Sequence, residues 1–141
     1  MARATLSPLL NAVISIVETA SGVPVGDGIA PDCEGPYMMV TAVSMRPYTG
    51  PFGDMEADSD DRIQISGIGA TREQADSMRD AIRLALTVAA LDTQFTADSE
   101  SRRTMKVNLD MSPVTRREDR GLPNPIFTAI DQYMIETTPT V

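Results

Sequence analysis

The stretch Gly67-Ile68-Gly69-Ala70-Thr71-Arg72-Glu73-Gln74 joins an alternating, strand-like run to a long amphipathic one, which is how many phosphate-binding sites begin. A dinucleotide fingerprint needs a third glycine three places after the second, and that place holds Arg72. A Walker-type loop needs Gly-Lys-Ser/Thr ahead of the helix, and the motif is absent. A turn explains every residue instead. Gly67 and Gly69 let the chain reverse sharply between sheet and helix. Thr71 with Gln74 three residues on matches a capping box, in which each side chain satisfies an orphan backbone N–H.

Five carboxylates, Asp54, Glu56, Asp58, Asp60 and Asp61, lie close enough in sequence to suggest a cation site. A helix-loop-helix calcium loop has a glycine midway and a closing glutamate. The run from Asp54 to Ile65 has neither, so these acids are expected in a solvated, self-repelling loop. Two basic segments, Ser101–Arg103 and Thr115–Arg120, have the chemistry to touch phosphate, but Glu118 and Asp119 interrupt the second. Cys33, the single cysteine, sits in a Pro/Gly connector with acidic neighbours, which raise a thiol pKa, so it is not read as a nucleophile. The chain has no histidine, which excludes a Ser-His-Asp triad, a Cys-His pair or a His-containing zinc site within one copy. The only lysine, Lys106, lies in a strand-like segment. No catalytic, metal-binding or cofactor-binding residue is expected, and no enzyme.

Elements must hold these groups. With 141 residues and 42% apolar content, the chain suits a single domain, 1–141, with a core that needs no staples. Nine methionines supply side chains that adapt to irregular gaps and contact surfaces. No apolar run reaches the roughly 20 residues of a spanning helix, so the chain is expected to be soluble, made in the cytoplasm and unprocessed, with no membrane partner.

Leu6, Leu9, Leu10, Val13, Ile14 and Val17 recur at helical spacing, with Ser7 as cap, Pro8 in the first turn and Gly22 as stop. Val23–Gly35 is a Gly/Pro-rich connector. Pro36–Met45 is a continuous apolar run, read as a central strand covered on both faces. Arg46–Asp61 is read as an irregular loop, functional or mobile because of its length. Arg62–Gly69 alternates, with Ile63 and Ile65 on one face, as a half-buried strand antiparallel to the previous one. The second helix runs from Thr71 to about Leu91, with Ala75, Met78, Ile82, Ala85, Leu86 and Ala89 inward, and Asp76 and Asp80 in solvated pairs with arginines. Asp92–Arg103 is a polar loop. Thr104–Ser112 alternates as a strand, 113–125 is a second irregular loop, Ile126–Thr137 is the last strand, and the tail is loose. The fold class is therefore α+β, order α-β-β-α-β-β, with one mixed or antiparallel four-stranded sheet and helices packed on it.

Charge is segregated: net −9 over residues 1–100, +3 over 101–120 and −2 over the last 21. So acidic a chain does not grip nucleic acid by broad charge neutralisation. Opposite signs on different segments suit head-to-tail contact between copies. The acidic candidate surface comprises Arg46, Tyr48, Phe52, Asp54, Met55, Glu56, Asp58, Asp60 and Asp61, facing either a neighbouring copy or a channel. The basic partner surface comprises Arg102, Arg103, Arg116, Arg117 and Arg120.

Four stretches in order, "GPYMMVTAV", "GPFGDMEADSDDRIQISGIGATREQADSMRDAIRLAL", "MKVNLDMSPVTRREDRGLPNPIF" and "YMIETTP", resemble the tail terminator proteins of long-tailed, non-contractile bacteriophages. The resemblance covers most of the chain after Gly35. It implies a small α/β subunit of a ring, a hexamer, that caps the tail tube, halts polymerisation of the major tail tube protein and joins the tail to the head–tail connector. It implies a place at the head-proximal end of the tail of a virion, after assembly in the host cytoplasm, with DNA passing through the bore without specific binding. The alternatives are another neck, connector or tail-completion protein, and, in a different class, a small ligand-binding regulatory α/β domain.

Overall fold

The computed structural model describes residues 6–33, 35–48, 58–86, 94–97, 100–118 and 125–139. Helix α1 spans Leu6–Ser21 and α2 spans Arg72–Leu84. The strands are β1 (Val25–Asp27), β2 (Tyr37–Tyr48), β3 (Asp58–Gly69), β4 (Gln94–Ala97), β5 (Glu100–Met111), β6 (Arg116–Glu118) and β7 (Ile126–Pro139). The class is α+β, but the described sheet has seven strands and not four. Their order is β1-β2-β3-β7-β5-β4, with β6 also paired to β7. Only β1 is parallel to its neighbour; the other pairs are antiparallel, including β2 with β3 as expected.

Three segments read as irregular carry strand. The connector 23–35 contains β1, the loop 46–61 is strand at 46–48 and again from Asp58, and 113–125 contains β6. The polar segment 92–103 likewise holds β4 and the start of β5. Short-range composition pointed to loops because Gly, Pro and Asp are poor strand formers. Pairing with a long neighbour overrides that: Tyr48 stands opposite Asp58, and Arg46 opposite Asp60. The start of the tail expected to be loose is also drawn in, since Thr138 and Pro139 continue β7 opposite Arg103 and Arg102.

Both helices cover one face of the sheet. Leu9, Val13 and Val17 of α1 and Met78, Ile82 and the following Leu86 pack with Met38, Val40, Ile63, Ile65, Tyr133 and Ile135. Cross-strand register confirms that these strand residues share a face, since Val40 pairs with Ile65 and Ile63 with Tyr133. The other face holds Met39, Thr41, Arg62, Gln64, Ile130, Gln132 and Met134, which are half-buried, and no described helix lies over it. β2 is thus covered on one side, and not on both. Its Val43 is exposed beside an irregularity in the pairing between Ala42 and Ser44.

Helix boundaries follow their caps. Gly22 adopts φ +69° and donates its N–H to Glu18 O at 3.0 Å, closing α1 as the sequence indicated. At the start of α2, Thr71 Oγ1 accepts from Gln74 N–H at 3.1 Å. Gln74 Oε1 accepts from Ala70 N–H at 2.8 Å, one residue ahead of the position a standard capping box would serve. Gly67 and Gly69 do not turn the chain: both lie in β3, and neither is among the glycines of positive φ. They are small because α2 sits on them. A Cβ at Gly69 would lie 3.1 Å from Ala75 N and from Gln74 Oε1.

Candidate functional site

Four residues between β5 and β6 create the most distinctive local geometry. β5 leaves β7 at Met111, opposite Gln132, and β6 rejoins it at Arg116, opposite Thr128. The connecting residues Ser112–Thr115 are drawn towards α2. Arg79 Nη1 donates to Pro113 O at 2.6 Å, and Arg83 Nη2 donates to Ser112 Oγ at 2.7 Å. Thr115 Oγ1 donates to Asp76 Oδ1, which also pairs with Arg79 at 3.3 Å. Asp76 and its arginines were expected to form a solvated face; they fasten a loop instead. Pro113 explains part of the detour, since it has no N–H for a ladder.

The detour opens a notch on the helix-free face. It is a cleft of about 270 Å³ lined by Gln64, Met111, Pro113, Val114, Arg116, Thr128 and Ile130. Val114 at its rim is 83% exposed. Gln64 is held in place by Gln132, which donates Nε2–H to Gln64 Oε1 at 3.1 Å. Thr128 is only 9% exposed, and its hydroxyl has no hydrogen-bond partner among the described residues. A buried hydroxyl left unsatisfied is uncommon and marks a place where something else can bind. Arg116 stands at the edge with one long ion pair, 4.0 Å to Glu118.

Behind the notch, on the helix side, lies a buried ionic cluster. Asp131 accepts from Tyr133 OH at 3.1 Å and from Arg83 Nη2 at 3.4 Å through both carboxylate oxygens. Burial, helped by the Asp131 charge, pushes the Tyr133 hydroxyl well above its ordinary pKa. Burial tends to lower the Arg83 pKa, but the Asp131 carboxylate outweighs it and the net shift is upward. The cluster ties α2, β7 and the 112–115 segment into one unit. It has the character of a structural clamp.

The acidic candidates are dispersed. Asp58 and Asp61 are strand residues that are 7% and 1% exposed, far from the solvated loop expected of them. Ser59 Oγ donates to Asp61 Oδ1 at 2.5 Å. Asp60 is half-buried on the open face, between Arg46 of β2 and Glu136 of β7, with Lys106 next in register. Tyr48 ends β2. Phe52, Asp54, Met55 and Glu56 lie outside the described residues, as does Arg120. Arg102 and Arg103 sit in β5, paired with Pro139 and Thr138 of β7. The acidic end of β3 and the basic end of β5 therefore flank β7 in one copy, roughly 10 Å apart at two strand spacings. Arg116 and Arg117 are exposed in β6. Of all the candidates, Arg116 alone lines the notch. The other lining residues were missed. Their sequence signal was the break in alternation at Met111-Ser112-Pro113-Val114, which places an isolated apolar residue inside a basic loop.

No described group of three or more acidic or cysteine side chains is placed to hold a metal ion, and no described helix is long and apolar enough to cross a membrane. No protein-family profile and no curated protein sequence matches the chain. Solved structures do match. A chain from the virion of a native gene transfer agent particle superposes with a TM-score of 0.61 at 17% identity, covering 92% of this chain and 95% of that one. A second structure, for which no function is named, gives a TM-score of 0.50 at 8% identity over 96% of this chain and 92% of that one. The fold is thus shared, from end to end, with a virion component. At these identities the likeness is one of fold.

Proposed function

We propose that the protein is a structural component of a virion and, within that class, a tail terminator. Copies form a ring, a hexamer, that caps the tail tube at its head-proximal end, stops addition of tube protein and presents a surface to the head–tail connector. The carrying observation is the end-to-end fold likeness to a chain of a gene transfer agent virion, with 92% of this chain and 95% of that one covered. The likeness spans nearly the whole of both chains. The resemblance of four ordered sequence stretches to tail terminators narrows the reading.

The architecture suits the role. A cap must differ on its two sides, so that stacking proceeds from one and ends at the other. This subunit is built unequally, with helices on one face of the sheet and none described on the other. The net charge of −8 keeps DNA moving through a bore by like-charge repulsion.

Electron microscopy of tail tubes assembled with and without the protein tests the proposal. Tubes of one length with it, and tubes of runaway length without it, are the expected result. Unaltered length distributions, or the protein found at intervals along the tube wall, would remove the terminator role. Its presence at the neck with tube length unchanged would assign it to another connector component.

A further inference from the structure

We infer that the notch is one half of a head-to-tail contact between copies of this chain, and that its occupant is the Asp27–Asp32 loop of a neighbouring copy, entering with Ile29. The inference rests on the ring reading above and names its contact.

The loop is a preformed apolar knob. Ile29 is 75% exposed, at the tip of a turn that follows edge strand β1, and the flanking Asp27 and Asp32 are exposed as well. The turn is held from within. Gly28, at φ +74°, donates its N–H to Val40 O at 2.8 Å, and Cys33 N–H donates to Pro31 O at 3.0 Å. Gly26 lies so close under the Ile29 carbonyl that a side chain there would collide with it. A large aliphatic side chain is thus offered to solvent on a rigid support, where docking costs little ordering.

The notch is its complement. Ile130, Pro113 and the exposed Met111 and Val114 supply apolar walls. The buried Thr128 hydroxyl lacks a partner, and a main-chain carbonyl of an incoming loop supplies one. Arg116, with Arg117 beside it in β6, faces the approach path of Asp27 and Asp32, which fixes orientation by charge.

The contact is not made within one copy. β1 is the edge strand at one end of the sheet, and β2, β3 and β7 separate it from β6. The near wall of the notch, Gln64 of β3, is two strand spacings from β1, roughly 10 Å, yet Ile29 is 75% exposed and is not among the residues lining the notch, so a copy does not fill its own notch. A contact between two unlike patches of a subunit is heterologous, and repeating it generates a closed ring when the rotation closes.

The experiment uses the full chain with Cys33→Ser. Copies carrying Ile29→Cys are mixed with copies carrying Val114→Cys and oxidised. A disulfide dimer joining the two variants is expected, and a chain with both changes gives a ladder that ends at one closed species. Ile29→Asp, on an exposed loop, is expected to leave circular dichroism, and melting below the assembly concentration, unchanged while native mass spectrometry shifts from oligomer to monomer. Arg116→Glu raises the concentration for half assembly roughly tenfold, and Asp32→Arg in the same chain restores it. Assemblies that form without the 29–114 cross-link, or that survive Ile29→Asp, overturn this contact and leave the ring standing. A wild-type chain that stays monomeric at every concentration overturns it too, and the tube-length assay then judges the terminator reading by itself. Self-assembly that persists with Val114→Asp while capping is lost assigns the notch to a different protein and also overturns the contact.

Discussion

Arg83 and Asp131, 48 residues apart in sequence, meet at 3.4 Å, with the carboxylate only 2% exposed and the guanidinium partly in solvent. Their contact is asymmetric, and so is the effect of removing either side. Arg83→Met leaves a buried carboxylate with the Tyr133 hydroxyl as its main remaining partner, a change expected to cost about 3 kcal/mol, towards the low end for a broken buried pair because solvent reaches the site. Asp131→Asn keeps the shape and an acceptor and is expected to cost about 1 to 2 kcal/mol. Urea unfolding of the two single variants and the double variant measures both terms and their coupling. Equal losses near zero would show that the pair does not hold α2 to β7.

Tyr133 predicts an alkaline limit to stability. Its pKa is raised in the folded state above the ordinary value of 10.0, first by burial and then by the Asp131 charge. Below pH 10 both folded and unfolded chains keep the phenolic proton, so this contribution is fully present. Above it the unfolded chain loses the proton while the folded chain keeps it, and stability falls as pH rises through the folded pKa. Tyr133→Phe is expected to flatten the slope above pH 10 and to lower stability at neutral pH, because Asp131 loses a donor. Unfolding free energies from pH 8 to 11 would show this, and an unchanged alkaline slope would rule it out.

The junction of β3 and α2 predicts two separable losses. Thr71→Ala removes the oxygen that accepts from Gln74 N–H and is expected to cost about 1 kcal/mol. Gly69→Ala acts by crowding, since its new methyl would press on Ala75 N and Gln74, and is expected to cost about 1 to 3 kcal/mol. If the glycine served only to turn the chain, Gly69→Ala would be mild at the observed backbone angles. Thermal melts of each variant separate the two explanations.

Thr128→Val replaces an unpartnered buried hydroxyl with a methyl of the same shape. In the monomer it is expected to be neutral or to stabilise by about 1 kcal/mol, because an unmet hydrogen-bonding group is removed. In the assembled oligomer the sign is expected to reverse. Melting temperatures below and above the assembly concentration measure both. A destabilised monomer would reveal a hydrogen bond that the hydroxyl makes within its own chain.

Elements with strong local signatures were legible in the residues alone: the stripe Leu9, Val13 and Val17, the cap at Thr71 and Gln74, the stop at Gly22, and the alternation of Ile63 and Ile65. These are decided within one or two helical turns or strand steps. Short strands were not legible. Val25–Asp27, Gln94–Ala97 and Arg116–Glu118 are too short, at three or four residues, to show a strand period, and they form because a longer neighbour presents an open edge. Burial of Asp58 and Asp61 was hidden for the same reason, since charge patterning assumes a surface loop and the pairing of β3 with β2 removes that loop. The notch could not be read at all. It depends on Arg79 and Arg83 reaching Ser112 and Pro113 across 29 to 34 residues, and no local pattern encodes that reach.

The sheet's interior strand β7 is made after every strand it joins. β3 and β5 are both its neighbours, and the Gln64–Gln132 contact spans 68 residues. While the ribosome is still working, these two strands have no neighbour on the sides where β7 will insert, and the core lacks Tyr133 and Ile135. Completion of the fold must therefore await synthesis of Ile126–Pro139, and the nascent intermediate offers open strand edges to any extended peptide nearby. Removing residues from 126 onward would take the centre out of the sheet and leave two pieces with nothing between them.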